Sequence, residues 1–312
     1  MKRFATCLSV ILIALSVWAQ DKTVEELKKQ ASREIKKDPN DTIPKIWKKG
    51  GLFNLTFNQA ALSNWSAGGD KSSISFNSQF YGYAFYKKDR NSWDNTVDLA
   101  YGFTYTTSLG TRKTDDRIDL LSKYGYQFAK SWYLSLLFNA RSQFSKGYNY
   151  PNDNTKILTS DFLAPAYILL SPGVNYKPND NFSVFLSPIT ARWVIVKNDS
   201  LSQVRAFGVD SGKHVSSQFG AFASVSFIQK ISPSAAYTGR LDLFSNYLHN
   251  PLNISIYWTN LLVVKVTNII AMSLTLNVIY DDNVKSVNSD GTQGGPRPQI
   301  QELLGIGFSL RF

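Results

Sequence analysis

Cysteine, histidine and methionine are nearly missing from this chain: one, two and two among 312 residues. The single cysteine, Cys7, lies in the apolar N-terminal run. Once that run is removed, nothing remains for a disulfide, a thiolate ligand or a cysteine nucleophile. Charge is sparse as well, at 18%, whereas aromatics reach 14%. Beyond the N-terminus no apolar stretch runs uninterrupted for the ~20 residues of a membrane helix. A chain of this kind that crosses a bilayer must do so as a closed barrel, because an open strand edge cannot satisfy its backbone in hydrocarbon. The abundance of Phe (20) and Tyr (16) favours strands over helices.

The first 19 residues read as a signal peptide. Lys2 and Arg3 form a basic start, CLSVILIALSV is the apolar run, and Val17-Trp18-Ala19 is a small-residue exit that predicts cleavage after Ala19. An uncleaved anchor is the competing reading, but the run is short and stops at QDKTVEE. Cys7 is no lipid-attachment site, since Thr6 precedes it and most of the apolar run follows it. Cleavage lowers the net charge from +11 to +9, and export makes nucleic acid an unsuitable partner for that positive excess. Residues 20–49 are charged. Val24, Leu27, Ala31 and Ile35 recur at helical spacing before Pro44 ends the pattern, which predicts a periplasmic tail or a short helix.

From Gly50 to the end, residues 50–312, the period becomes two. Trp93, Val97, Leu99, Tyr101, Phe103 and Tyr105 share one face; Asp94, Thr96, Asp98, Thr104 and Thr106 share the other. A strand separates these sets and a helix scatters them. Twelve such segments follow, near 51–61, 72–86, 92–106, 116–129, 131–145, 162–176, 182–196, 215–229, 235–248, 252–265, 268–281 and 299–312. Short connections (KKDRN, Lys130, KPNDN, QKISPS, VTN) alternate with longer ones, apart from LHNP. This is the pattern of an antiparallel transmembrane barrel with both termini in the periplasm. The last segment alternates up to Phe312, a terminal aromatic of the kind that serves as an assembly signal. The predicted fold is therefore all-β, a barrel of about twelve strands.

Strand charges should avoid the lipid face, where a cation at the midplane costs ~2–4 kcal/mol. The inward register accordingly carries Asp98, Arg117, Asp119, Lys123, Arg141, Arg240 and Asp242 as a predicted lumen network. Turns near 110–111 and 129–130 would set Asp98 opposite Lys123 and Asp119 opposite Arg141. Interleaved signs suit a network that fills a narrow barrel; a solute path is the other reading. Pro172 and Pro188 fall inside strands and predict bulges or kinks, with barrel curvature as the plain reading and a lateral opening as the sharper one. In LSNWSAGG the glycines and Asn64 suit a turn, and Trp65 an anchor at the membrane interface.

Chemistry-bearing motifs are thin. His214 precedes Ser216 and Ser217, but nothing groups a triad around it. Asp210 in FGVDSG and Asp281-Asp282 in VIYDDN offer oxygen ligands for a hard cation, a weak pattern. No nucleotide-binding glycine motif is present, and no metal or cofactor is expected.

The run LSNWSAGG, SWDNTVDLAYG, KTDDRIDLLSKYGYQFAKSWY, FLAPAYILLSPGVNYKPNDNFSVFLSPIT, AFGVDSG and RLDLFSNYLHNP through VIYDD resembles the Bacteroidota family known as domain of unknown function 3078, from about Trp47 to the end. The resemblance implies an outer-membrane barrel of a Gram-negative bacterium and carries over no catalytic residue. Outer-membrane lipids and lipopolysaccharide, the barrel assembly machinery acting on the C-terminal strand, and a membrane protein partner are then the expected contacts. Three functions compete: a narrow channel for small solutes, a closed barrel acting as a scaffold or accessory subunit, and an embedded hydrolase. The first is the leading expectation, and a non-enzyme is expected.

Overall fold

The computed structural model describes residues 46–62, 70–152, 155–179, 181–267, 269–287 and 292–311. The predicted signal peptide, most of the charged segment that follows it, Trp65 and Phe312 lie outside the described residues. Twelve antiparallel strands close into one barrel: β1 (Trp47–Ala61), β2 (Ser72–Lys88), β3 (Asn91–Thr106), β4 (Gly110–Ala129), β5 (Trp132–Ser142), β8 (Ala166–Asn179), β9 (Phe182–Ile195), β10 (Val215–Lys230), β11 (Ala235–Asn246), β12 (Ile254–Lys265), β13 (Ile270–Tyr280) and β16 (Gln299–Arg311). Each pairs with its neighbour along the chain, and β16 returns to β1. Two short hairpins, β6 (Gly147–Asn152) with β7 (Thr155–Ser160) and β14 (Lys285–Val287) with β15 (Gln293–Pro296), stand on connections at the end away from the termini.

Hydropathy is inverted relative to a soluble protein. Leu134, Leu136, Phe138, Leu186, Ile189, Leu304, Ile306 and Phe308 face outward and are exposed, while Ser135, Asn139, Asn175, Arg192, Ser224 and Asp242 are buried inside. The alternation that separates these sets along each strand therefore turns its apolar face to the surroundings, as a bilayer-spanning wall requires. Near the terminal end the outward face carries rings: Trp47 lies 5.2 Å from Tyr86 and 6.0 Å from Trp93, and Trp132 lies 4.7 Å from Tyr176. Such a belt suits the polar–apolar boundary of a membrane, where an amphipathic ring satisfies both sides.

The sequence expectation for β3–β4 is corrected. The intermediate connection read between these strands is mostly strand: β4 begins at Gly110, and only Thr107–Leu109 forms the turn. The register moves accordingly, so that Asp98 stands opposite Asp119 and Lys123 opposite Asp94. The shift is even in number and leaves the faces unchanged, which is why alternation alone could not detect it.

The two prolines share a single irregularity. Along β9 an extra residue enters around Pro188, because Gly220 pairs with Thr190 but Phe222 with Ser187. The β8–β9 register shifts over the same stretch, between Leu170 and Val174. Pro172, expected to mark a bulge or a kink, stays in step with Leu136 on β5 and faces the β9 bulge from the next strand, within the stretch where the β8–β9 register shifts. Hydroxyls replace the lost ladder bonds. Ser187 Oγ donates to the carbonyls of Pro172 (2.6 Å) and Ile189 (2.9 Å), and Thr190 Oγ1 donates to Ser171 Oγ (2.9 Å). Gly173 and Gly220 permit the tight approach, since a Cβ at either would collide with a neighbouring carbonyl, Leu186 or Ser245.

Candidate functional site in the barrel lumen

The inward faces of β4, β5, β10 and β11 bring most of the predicted charges together. Arg117 on β4 donates to Asp98 on β3 (3.2 Å). Asp119 sits directly opposite Arg141 on β5 and is bonded to it (3.0 Å) and to Asn139 (2.5 Å). Arg141 then reaches across the interior to Asp242 on β11 (2.5 Å), four strands away around the wall. Asp242 also accepts from Arg240 (2.9 Å) and Ser224 (2.6 Å). One carboxylate, 3% exposed, thus holds two guanidinium groups and a hydroxyl. Such saturation is what keeps a buried ion tolerable. Lys123 lies apart and donates to Asn175 on β8 (3.3 Å).

A second bridge was missed at the sequence level. Arg192 on β9 is 4% exposed; it donates to Gln218 (2.6 Å) and to Asp281 (3.3 Å) just past β13. Its guanidinium stacks 4.2 Å from the Phe244 ring centre. Asp281, read from sequence as an oxygen ligand for a cation, spends its carboxylate on Arg192, Ser255, and the backbone and side chain of Asn283. Its neighbour Asp282 accepts from the Tyr280 hydroxyl. Among the described residues no cluster of three or more metal-ligating side chains occurs. The sequence carried a weak signal for this bridge, namely Arg192 on the polar register after Pro188. Its partner lies 89 residues along the chain, too far for any periodicity to indicate.

Two cavities meet at Arg192. The outer one, about 240 Å³, opens among Asn246, His249, Asn250, Asn253 and Asp282. The inner one, about 30 Å³, lies against Asn139, Arg141, Tyr167, Asp242 and Tyr257. Arg192 and Ser255 line both, so they form the partition between them. At ~30 Å³ per water the outer cavity has room for about eight waters and the inner for about one. An apolar plug continues the closure: Leu137, Leu169, Phe185, Phe222 and Phe244 form one buried inward cluster.

The loop between β9 and β10 reaches the rim of the outer cavity at Asn283. It carries a short helix, α1 (Asp199–Gln203), capped by the Asn198 side chain on the Leu201 N–H (3.3 Å). Leu201 and Val209 pack with Ala164, Val194 and Val196 into a small core of their own. Arg205 and Phe207 both adopt the left-handed conformation, which is unfavourable for non-glycine residues and is held here by that packing. Gly208 abuts Asn283, which follows β13, so the loop meets the far side of the wall beside the Arg192 bridge. Asp210 lies exposed in this loop with Lys213 at 2.9 Å, and that ammonium holds its carboxyl below the usual range. His214 ends the loop. Its Nδ1 faces the Val196 carbonyl (2.8 Å) and its Nε2 faces Asp199 (3.4 Å), and among the described residues no serine hydroxyl joins them.

Fold and interior together define a closed, twelve-stranded antiparallel barrel with a lumen bridged by side chains. Residues 57–148 match a family model described as "Protein of unknown function (DUF3078)", a narrower span than the whole-barrel resemblance read from the sequence. No curated protein matches the chain in sequence. Among solved structures, the chain is similar to an outer membrane channel from Pseudomonas putida F1, at 12% identity over 89% of this chain and 100% of that one, with a TM-score of 0.38. It is similar to the translocator domain of the autotransporter NalP from Neisseria meningitidis at 13% identity, over 93% and 95%, with a TM-score of 0.39. It is also similar to outer membrane phospholipase A from Escherichia coli at 10% identity, over 89% and 98%, with a TM-score of 0.35. At these levels nothing of those proteins' activities transfers to this chain.

Proposed function

We propose that this chain is an outer-membrane barrel, exported by its N-terminal signal, with both termini in the periplasm, that conducts small polar solutes along a narrow path closed at rest by side-chain latches. One observation carries the reading: two cavities share a single partition, Arg192 with Ser255, and the Arg141–Asp242 bridge lines the inner one. Parting the hydrogen bonds of Arg192 would join the two cavities, and the apolar cluster around Phe185 and Phe222 would then be the narrowest remaining point. The final strand offers itself to the assembly machinery, and a Bacteroidota source belongs to the same reading. Planar-bilayer recording tests the proposal. The unmodified barrel should conduct little, and Arg192→Ser combined with Asp281→Ser should give frequent openings. Equal silence from both proteins would overturn it.

A closed scaffold is the second reading, supported by the number of bridges across the lumen. Lys123 to Asn175, Arg141 to Asp242, Arg192 to Asp281 and Gln301 to the Thr114 carbonyl (3.1 Å) all link strands that are not neighbours in the wall. On that reading the double variant stays silent and a stoichiometric protein partner co-purifies after gentle detergent extraction.

A further inference from the structure

The connection between β11 and β12 is the short one that breaks the alternation of loop lengths, and its composition is unusual as well. NYLHNPLN holds three asparagines and one of the chain's two histidines. All four, Asn246, His249, Asn250 and Asn253, line the outer cavity. The turn that carries them is braced. Ser245 Oγ donates to the Pro251 carbonyl (2.6 Å), and the Tyr247 hydroxyl donates to the Pro188 carbonyl on β9 (3.1 Å). Within the turn the Asn253 N–H donates to the Asn250 carbonyl (2.9 Å). Asn250 holds a left-handed backbone, φ 51°, which asparagine tolerates better than most residues. The amides thus stand on a fixed scaffold, as a binding site requires.

The cavity lining falls into two sets. Arg192, Ser255, Asp281 and Asn283 are bonded among themselves. Arg192 (3.3 Å) and Ser255 Oγ (3.1 Å) donate to Asp281, and Asn283 donates to it through its backbone (3.0 Å) and its side chain (2.9 Å). Little of this set is left for a solute. The turn is different. Asn246 spends its Oδ1 on the Leu248 N–H (3.0 Å). Among the described residues no hydrogen bond uses its Nδ2, the His249 ring, or the amides of Asn250 and Asn253. Asp282, just past β13, accepts among the described residues from the Tyr280 hydroxyl alone.

This chemistry narrows what fits. Two carboxylates, Asp281 and Asp282, stand against one guanidinium, Arg192, which is already bonded. An anion would meet repulsion there and no free cation. An apolar solute would leave the amides unpaired, and a site rich in hydrogen-bonding groups rejects such a solute strongly. Carboxamides and an imidazole each donate and accept. Their match is a neutral solute whose groups do the same on neighbouring atoms, which is what hydroxyls do. At about 240 Å³, the room of roughly eight waters, the cavity admits one sugar ring and not a chain of them.

We propose that the outer cavity is a binding site for a neutral polyhydroxy solute the size of one sugar ring. The Asn246–Asn253 turn donates to and accepts from its hydroxyls, and Asp282 accepts from them. Among the described residues no Phe, Tyr or Trp ring lines the cavity. Binding is therefore weak, as suits a solute that has to move on. The assignment rests on the path for small polar solutes given above and names its substrate class, but the site is read by binding and not by current.

Saturation-transfer NMR titrations on the full barrel in detergent test it. Glucose, glucuronate and choline serve as neutral, anionic and cationic probes. Glucose should bind at least about fivefold more tightly than glucuronate at neutral pH. Glucuronate binding as well as glucose, or choline binding better, would overturn the neutral class, and no saturation of glucose would overturn the site. These comparisons need no variant. In Asn250→Gly with Asn253→Ala the glycine keeps the left-handed turn while both amides are lost. The glucose Kd should then rise roughly tenfold, and an unchanged Kd would overturn the turn as the site. Glucose binding by a barrel that stays silent in the bilayer would sink the path and leave the site. Openings without glucose binding would sink the site and leave the path.

Discussion

The β8–β9 wall and the β1–β16 seam are both interrupted ladders, and they are resolved in opposite ways. At β8–β9 two prolines and an inserted residue remove backbone bonds, yet the Ser187 hydroxyl reaches the carbonyls of Pro172 and Ile189 at 2.6 and 2.9 Å, and Thr190 bonds Ser171 beside it at 2.9 Å. The stretch is buried and tight, with Ser171 and Thr190 fully covered. At β1–β16 no proline interferes, yet among the described residues the ladder holds four pairs only, and beyond them Gly305 and Gly307 still lie against Thr56 and the Leu55 carbonyl. The proline wall, which the sequence marks as the weak place, is sealed. The unmarked seam is the least paired. A residue that breaks a strand locally is visible and can be repaired locally, whereas the extent of closure belongs to the whole ring.

The largest expected effect probes the cross-lumen bridges that brace the sealed side. Arg192→Met leaves the buried Asp281 carboxylate without its guanidinium and should cost roughly 3–5 kcal/mol in urea unfolding from vesicles. Adding Asp281→Leu should restore most of it; no recovery would show that Arg192 acts by packing on Phe244 instead. Next is the bulge. Ser187→Ala orphans the Pro172 and Ile189 carbonyls and should cost about 1–3 kcal/mol. A cost under a few tenths would mean that the hydroxyl repair is incidental, and the contrast with the seam would collapse. Thr56→Ala at the seam removes a side chain with no bond to lose and should fall within about 0.5 kcal/mol. A larger loss would show a closed ladder there.

The smallest effect lies outside the wall. Asp210 has its carboxyl held low by Lys213, so its folded form binds a proton less readily than its unfolded form. The contact therefore contributes at neutral pH and is lost as pH falls through the depressed value. Lys213→Met should return the Asp210 titration, followed by carboxyl resonances, to the ordinary carboxylate range. An unchanged midpoint would remove Lys213 as the cause.

Particular residues show how far the sequence could be read. Alternation placed Asp119, Arg141, Arg240 and Asp242 on one inward face, and a short turn at Lys130 set Asp119 opposite Arg141. It failed for Asp98 and Lys123 because the β3–β4 turn is tighter than the spacing of polar residues suggests, and an even register shift leaves no trace in the pattern. Asp281 was left without a partner because a pair of aspartates in a loop looks the same whether it awaits a cation or already holds an arginine from four strands away.

What the sequence determined by itself is the wall: strands at period two, an even number of them, short turns at one end, apolar residues outside and polar residues inside. These properties are local, set by side-chain direction along an extended backbone and by the few residues of each turn. What only the tertiary structure decided is everything that spans the ring. Which charges meet across the lumen, where the two cavities touch, and how far β16 zips onto β1 all depend on strand tilt and stagger. Those quantities exist only once the sheet has closed, and no single strand encodes them.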